Sequence, residues 1–123
     1  MSACPFCEIV AGRAIAEMVH EWDDVFAIVP LNPVVGGHTL VIPKAHVGDF
    51  TTDTKISGRA MECAAELAPI VFPRQDDWNV ITSKGRAATQ SVFHLHLHLV
   101  PRVVDDGLAL PWYSGRGGKK GAA

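Results

Sequence analysis

Residues 93–99 read Phe-His-Leu-His-Leu-His-Leu, a strict alternation of apolar and imidazole side chains. A helix would spread both kinds around its circumference, because its side chains repeat every 3.6 residues; a strand sorts them onto opposite faces. The run therefore predicts a strand over Val92 to Val100, stopped by Pro101, with Phe93, Leu95, Leu97 and Leu99 turned toward a core. His94, His96 and His98 then share the other face, each roughly 6.5–7 Å from the next. A solvated face is readily built from Thr, Lys or Glu, which do not titrate near neutrality, so three imidazoles in one row point to chemistry. Metal ligation, nucleophilic or acid–base work and anion binding are all open at this stage.

The rest of the chain supplies a frame for such a strand. A short helix is expected through Phe6 to Ala11, ended by Gly12. Strand-like runs follow at Glu17 to Trp22 and Val25 to Val29, joined by a tight turn at Asp23-Asp24. Pro30 to Pro33 and Gly36-Gly37 bracket a loop before a buried strand, His38 to Ile42, stopped by Pro43. From Ile56 the period becomes helical: Ile56, Ala60, Cys63, Ala64, Leu67 and Val71 share one face, and Pro69 should kink or end the helix. Cys63 on that face reads as a packed small hydrophobe. Trp78 to Thr82 is a further strand, and Ser83 to Thr89 a loop. The fold class is thus α+β: a mostly antiparallel sheet of about five strands, one long helix and a short N-terminal helix. One sheet face would be thinly covered, and dimerisation is a natural remedy.

With 123 residues, the chain suits a single domain, placed at residues 1–113. The tail from Ser114 to Ala123, rich in Gly and Lys, has little to bury and is expected to be mobile. Eleven basic against 13 acidic side chains leave a net charge of −2, which supplies no basic surplus for gripping nucleic-acid phosphates. No run approaches the ~18 apolar residues of a membrane span. The N-terminus shows neither a basic n-region nor an apolar h-region, so a cytoplasmic location is expected.

Three cysteines do not make a paired disulfide framework. Cys4 and Cys7 form a Cys-x-x-Cys pair. A thioredoxin-like βαβ pattern is missing around it, which disfavours a redox role, and a zinc site would need two more ligands. Beside the histidine run, the loop from Gly85 to Ser91 carries small residues and the potential donors Thr89, Gln90 and Ser91, a composition suited to holding phosphate oxygens. A neutral imidazole can attack phosphorus while neighbouring imidazoles and loop amides stabilise charge on the phosphoryl oxygens.

The segment Gln90-Ser-Val-Phe-His-Leu-His-Leu-His-Leu-Val100 resembles the signature of the histidine-triad (HIT) family, and its Gln-Ser-Val opening is similar to the Hint branch. Asn32-Pro33, Gly37-His-Thr-Leu-Val-Ile-Pro-Lys44 and Ala45-His46 extend the likeness, and Cys4-Pro-Phe-Cys7 resembles the zinc-bearing bacterial members. The resemblance covers the chain from about Cys4 to Trp112. It implies hydrolysis or transfer of nucleoside monophosphates through a nucleotidyl-histidine intermediate, with His96 as nucleophile. His98 would contact the α-phosphate or leaving-group oxygen, and Ser91 would help protonate the leaving group. Strict alternation puts Ser91 on the leucine face, so the strand must begin after it if its hydroxyl is to reach the site.

The same resemblance implies nucleotide contacts from Asn32, Ser83 and Gln90. It also implies a structural zinc held by Cys4, Cys7, His46 and His94. Such a metal would staple the N-terminal helix, which has little apolar surface of its own, and leave His96 and His98 for chemistry. Two departures stand out: Pro30 occupies the place of an acidic ribose ligand, and Ser83 that of an Asn. His20 reads as a polar strand position and His38 as structural, near the nucleotide. Ile9, Phe26 and Leu31 are either walls for a base or core, and Trp112 matches a C-terminal tryptophan that shapes the pocket, often across a homodimer.

Three functions follow as expectations. The first is a Hint-like hydrolase of nucleoside phosphoramidates or related α-phosphate conjugates of a purine nucleotide. The others are a dinucleoside polyphosphate hydrolase and a non-catalytic nucleotide- or partner-binding module.

Overall fold

The computed structural model describes residues 4–117. Helix α1 spans Pro5–Val10 and starts where the sequence allows: Pro5 needs no N–H partner, and the Cys4 sulfur caps the Cys7 N–H at 3.5 Å. Gly12 follows at φ +77°, the left-handed conformation expected at its end. Strands β1 (Glu17–Glu21) and β2 (Val25–Val29) form a hairpin closed by Trp22 N–H on Val25 C=O at 2.8 Å. β3 covers Thr39–Pro43, α2 Thr54–Val71, β4 Trp78–Ile81 and β5 Leu97–Pro101. The five strands form one antiparallel sheet in the order β1-β2-β3-β5-β4. This is the α+β architecture the sequence predicts.

Each sheet face carries its own core. On one, Val25, Ala27, Val41, Leu97 and Leu99 pack against Ala60, Cys63, Ala64 and Leu67 of α2, with Ile56 and Val71 at the margin. The helical face read from the sequence is thus the buried one. Cys63 is closed off, and burial pushes its thiol up to about 11, as suits an inert packed group. On the opposite face Phe26, Ile28, Leu40 and Ile42 pack against Phe6 of α1. β3 pairs with β5 so that Leu40 stands opposite His98, which places that imidazole on the α1 face.

Several expectations need correction. The last strand begins at Leu97, not Val92. Residues 92–96 leave the ladder because the Leu95 N–H turns to Val47 C=O at 2.8 Å, drawing the segment onto the loop after β3. Phe93 is accordingly 44% exposed instead of joining the core, although Leu95 is buried. Pro69 does not end α2, which runs to Val71: at the last turn the missing N–H frees only one carbonyl, and Phe72 N–H still reaches Ala68 C=O at 3.2 Å. The helix also starts earlier than Ile56, at Thr54, because Asp53 accepts from Lys55 and Ile56 N–H at 3.0 and 3.1 Å.

Two glycines mark close approaches. Gly37, at φ +93°, leads into β3, and a Cβ there would lie 2.5 Å from the Phe72 ring. Gly115 is buried, and a Cβ there would lie 2.6 Å from the Gly107 backbone. Of the tail expected to be mobile, residues 114–117 therefore include a packed contact, and residues 118–123 lie outside the described residues. Before it, Arg102 ties the chain after β5 together through Asp106 at 2.8 Å, Asn79 at 2.6 Å and Leu108 C=O at 2.6 Å. Among the described residues no helix is long and apolar enough to cross a membrane.

Candidate functional site

Cys4, Cys7, His46 and His94 converge so that one donor atom from each lies within 4.8 Å of all the others. His94 is fully buried, and its Nε2 lies 2.7 Å from Pro43 C=O. A carbonyl only accepts, so Nε2 carries the hydrogen and Nδ1 presents a lone pair. That lone pair faces Cys4 Sγ at 3.4 Å, Cys7 Sγ at 3.6 Å and His46 Nδ1 at 3.1 Å, and Cys7 Sγ lies 3.3 Å from His46 Nδ1. A tetrahedral zinc ion with its usual bond lengths sets S···N near about 3.5 Å and N···N near about 3.3 Å. Two sulfurs and two ring nitrogens at these separations fit zinc, and the His94–Pro43 bond is the outer hydrogen bond that orients a ligating imidazole. Burial first, and then the neighbouring Cys4 sulfur, pushes the Cys7 thiol up, so holding that sulfur as a thiolate calls for a cation beside it.

The other two rings of the run are oriented by the same logic. His96 Nδ1 lies 2.7 Å from His94 C=O, so it donates, and Nε2 keeps an unshared pair. His98 is set by a chain of contacts. Val34 N–H donates to His38 Nδ1 at 3.1 Å, which leaves the His38 hydrogen on Nε2; that atom lies 3.0 Å from His98 Nδ1. His98 therefore carries its hydrogen on Nε2. Burial, reinforced by His96 and His38, holds His98 down at about 4, and burial also lowers His38, so both are neutral near pH 7. The His96 and His98 ring centroids are 5.2 Å apart. The site thus places a bare imidazole nitrogen beside a neutral imidazole N–H donor, the polarity needed to attack an electrophile while holding its oxygen.

The remaining candidates fall into different settings. Ser91 precedes β5 by several residues, so the sequence condition that the strand start after it is met; the residue is exposed. Asn32 is exposed in the loop after β2, and Ser83 is half-buried just after β4. Gln90 is buried, and its carboxamide is committed internally: Oε1 accepts from Gly85 N–H at 2.8 Å, while Nε2 donates to Gly48 and Val92 C=O at 2.7 and 3.1 Å. Its donors are thus engaged within the protein, and it fastens the loop that leads into the histidine run. Phe26 is core, Ile9 packs at the margin of the same cluster, and Leu31 is 97% exposed. Trp112 is 53% exposed at the turn between Leu110 and Tyr113.

Two contributors, Thr82 and Phe6, escaped sequence reasoning, and a third, His38, reads there as structural and near the nucleotide without its partner. His38 touches His98 directly, a contact across 60 positions that only the β3–β5 register creates. Thr82 donates its hydroxyl to His96 C=O at 2.8 Å and anchors the His96 backbone to the end of β4. Phe6, placed between the two cysteines, packs edge-on against His94 and His96, with centroids 5.6 and 5.1 Å away. A hydrophobic residue between two ligand cysteines carries the signal for Phe6, but not its target.

The HIT domain family model matches residues 12–104. An uncharacterised HIT-like protein of Mycoplasma genitalium is 40% identical over 106 residues, which cover 82% of this chain and 74% of that protein. The adenylylsulfatase HINT3 of Arabidopsis thaliana is 33% identical over 109 residues, covering 85% of this chain and 55% of its own length. Among solved structures, a HIT family hydrolase from Clostridium thermocellum superposes with a TM-score of 0.75 at 31% identity, covering 84% of this chain and 93% of that one. A zinc-bound histidine triad family protein from Mycobacterium smegmatis gives a TM-score of 0.78 at 37% identity, covering 88% of this chain and 81% of that one. The match over most of the chain, on this fold and around this run of histidines, makes the protein a member of the HIT family.

Proposed function

We propose that the protein is a hydrolase or transferase acting at the α-phosphate of nucleoside phosphoramidates or related nucleotide conjugates. The observation that carries this reading is the opposite polarity of two adjacent rings: His96 Nε2 bears a lone pair, and His98 Nε2 bears a hydrogen. His96 Nε2 attacks the α-phosphorus, a P–N bond forms to the imidazole, and the bond to the leaving group breaks. Ser91 relays a solvent proton to that group, an amine in a phosphoramidate, and the water of the second step returns a proton to solvent. His98 N–H holds a phosphoryl oxygen throughout. Water then displaces His96, releasing the nucleoside monophosphate and restoring the imidazole. Asn32 and Ser83 contact the nucleotide, and Gln90 shapes the loop beside it. Pro30 has no carboxylate and no N–H, so ribose hydroxyls find their partners elsewhere.

Cys4, Cys7, His46 and His94 would hold a structural zinc in this reading, which would anchor α1 to the sheet. A homodimer suits the open β4 edge, where Val80 and Ile81 are each 39% exposed. The name of one relative, an adenylylsulfatase, favours an α-phosphate conjugate as the substrate class. Incubation with an aminoalkyl adenosine phosphoramidate tests the proposal. Amine and AMP should be released by the wild type and by Cys63→Ala, not by His96→Ala, and mass spectrometry should find a nucleotidyl adduct on His96. Faster cleavage of a diadenosine polyphosphate would move the activity to that substrate class. Binding without turnover or adduct would reduce the site to a nucleotide-binding module.

A further inference from the structure

We propose that Phe6 is a positioning residue for His96, so that the Cys4, Cys7, His46 and His94 cluster fixes the nucleophile's ring as well as helix α1. The word nucleophile here rests on the function proposed above; the packing does not. Among the described residues the His96 ring has one hydrogen bond, from Nδ1 to His94 C=O at 2.7 Å. A single bond of this kind fixes one nitrogen and leaves the imidazole free to tilt about the N–H···O line. Two rings stand against it and limit that tilt, His98 at 5.2 Å and Phe6 at 5.1 Å, with the Phe6 and His96 planes crossing at 69°.

Both the hydrogen bond and the Phe6 contact originate in the metal cluster. The accepting carbonyl belongs to His94, whose own ring is one of the four donors. Phe6 lies between the two cysteine donors and meets the His94 ring at 5.6 Å and 89°. Phe6 is only 7% exposed, so its ring has little room to reorient independently. α1, at six residues, is too short to persist by its own hydrogen bonds. Its place is set by the cysteines at its start and by Phe6 packed on the sheet. Releasing the cysteines would therefore withdraw Phe6 from His96 and loosen the His94 carbonyl together. A zinc whose role stopped at α1 would leave the His96 ring unchanged when Phe6 loses its aromatic edge.

The test compares zinc-loaded wild type, Phe6→Leu and Phe6→Tyr, each with metal content measured. Leu keeps an apolar filler without the ring, and Tyr keeps the ring. Heteronuclear NMR of the His96 imidazole should show a single Nδ1–H form in the wild type and in Phe6→Tyr. Phe6→Leu, still holding one zinc per chain, should give averaged nitrogen shifts. It should also form the nucleotidyl adduct at least about tenfold more slowly, with KM within about twofold of wild type. If Phe6→Leu fails to retain zinc, chelated wild type takes its place, and the same averaging is expected. A wild-type His96 spectrum in zinc-loaded Phe6→Leu, or after chelation, overturns the proposal. Spectral averaging in a protein whose wild type forms no adduct would leave the positioning role standing and remove the proposed activity. Equal adduct rates with identical spectra would do the reverse.

Discussion

The two faces of the sheet are closed by different physics. On the α2 face an 18-residue helix lays Ala60, Cys63, Ala64 and Leu67 over Val25, Ala27, Val41, Leu97 and Leu99, and stability comes from apolar area removed from water. On the α1 face a six-residue helix contributes one buried side chain, Phe6, to a smaller cluster with Phe26, Ile28, Leu40 and Ile42, and beside that cluster lie rings and sulfurs. That face is organised by directional contacts: hydrogen bonds to His94, His96 and His98, and a four-donor cluster. The α1 face has the smaller apolar cluster and adds to it contacts of fixed geometry. The α2 face supplies the rigid floor these contacts require.

The contrast can be broken in five ways. Replacing His96 with Ala should lower turnover by about 10⁴-fold while leaving the thermal midpoint near wild type, since the ring serves chemistry more than packing; the assay is amine release from the phosphoramidate. Next, Leu67→Ala should destabilise the whole molecule by about 2–5 kcal/mol through the cavity it leaves, read by urea unfolding, with zinc content unchanged. Cys4→Ser should do the opposite, lowering zinc content and the hydrogen-exchange protection of α1 while α2 amides stay protected. Global loss of protection in Cys4→Ser would show that the two faces are not separable.

A smaller effect concerns pH. His98 is held at about 4, below its ordinary value, by burial and by two neighbouring imidazoles. The unfolded chain therefore binds this proton more readily than the folded one. The stabilising contribution of neutral His98 is complete above about pH 6.5 and is lost as the pH falls from there toward 4. Between about pH 7.5 and 5, the urea midpoint of zinc-loaded wild type should fall more steeply than that of His98→Gln. Smallest is Asp53→Ala, which removes the cap of α2 and should cost about 1 kcal/mol with no change in activity.

Elements with a repeating pattern were legible before any coordinates. The buried face of α2, the hairpin at Asp23-Asp24 and the single sheet all follow from period and turn chemistry. The histidine run was legible as chemistry but only half legible as structure. Leu97 and Leu99 obey the alternation, whereas Phe93 does not, because the Leu95 N–H leaves the ladder for Val47. A pattern of side chains cannot report where a backbone N–H finds its partner. The His38–His98 contact was hidden for a related reason: it depends on the register Leu40 opposite His98. Gln90 illustrates the converse, a polar residue whose type fits phosphate binding and whose amide is engaged inside the loop.

The two faces also share a wall one glycine thick. Gly37 stands next to His38, which orients His98, and the Phe72 ring at the end of α2 fills the space where a Cβ would sit. A side chain at this position, already disfavoured at φ +93°, would have to displace that ring or shift the start of β3, next to two hydrogen-bonded imidazoles. The residue beside the His38–His98 pair is thereby tied to an aromatic group at the end of the long helix, so a change at one position bears on the other.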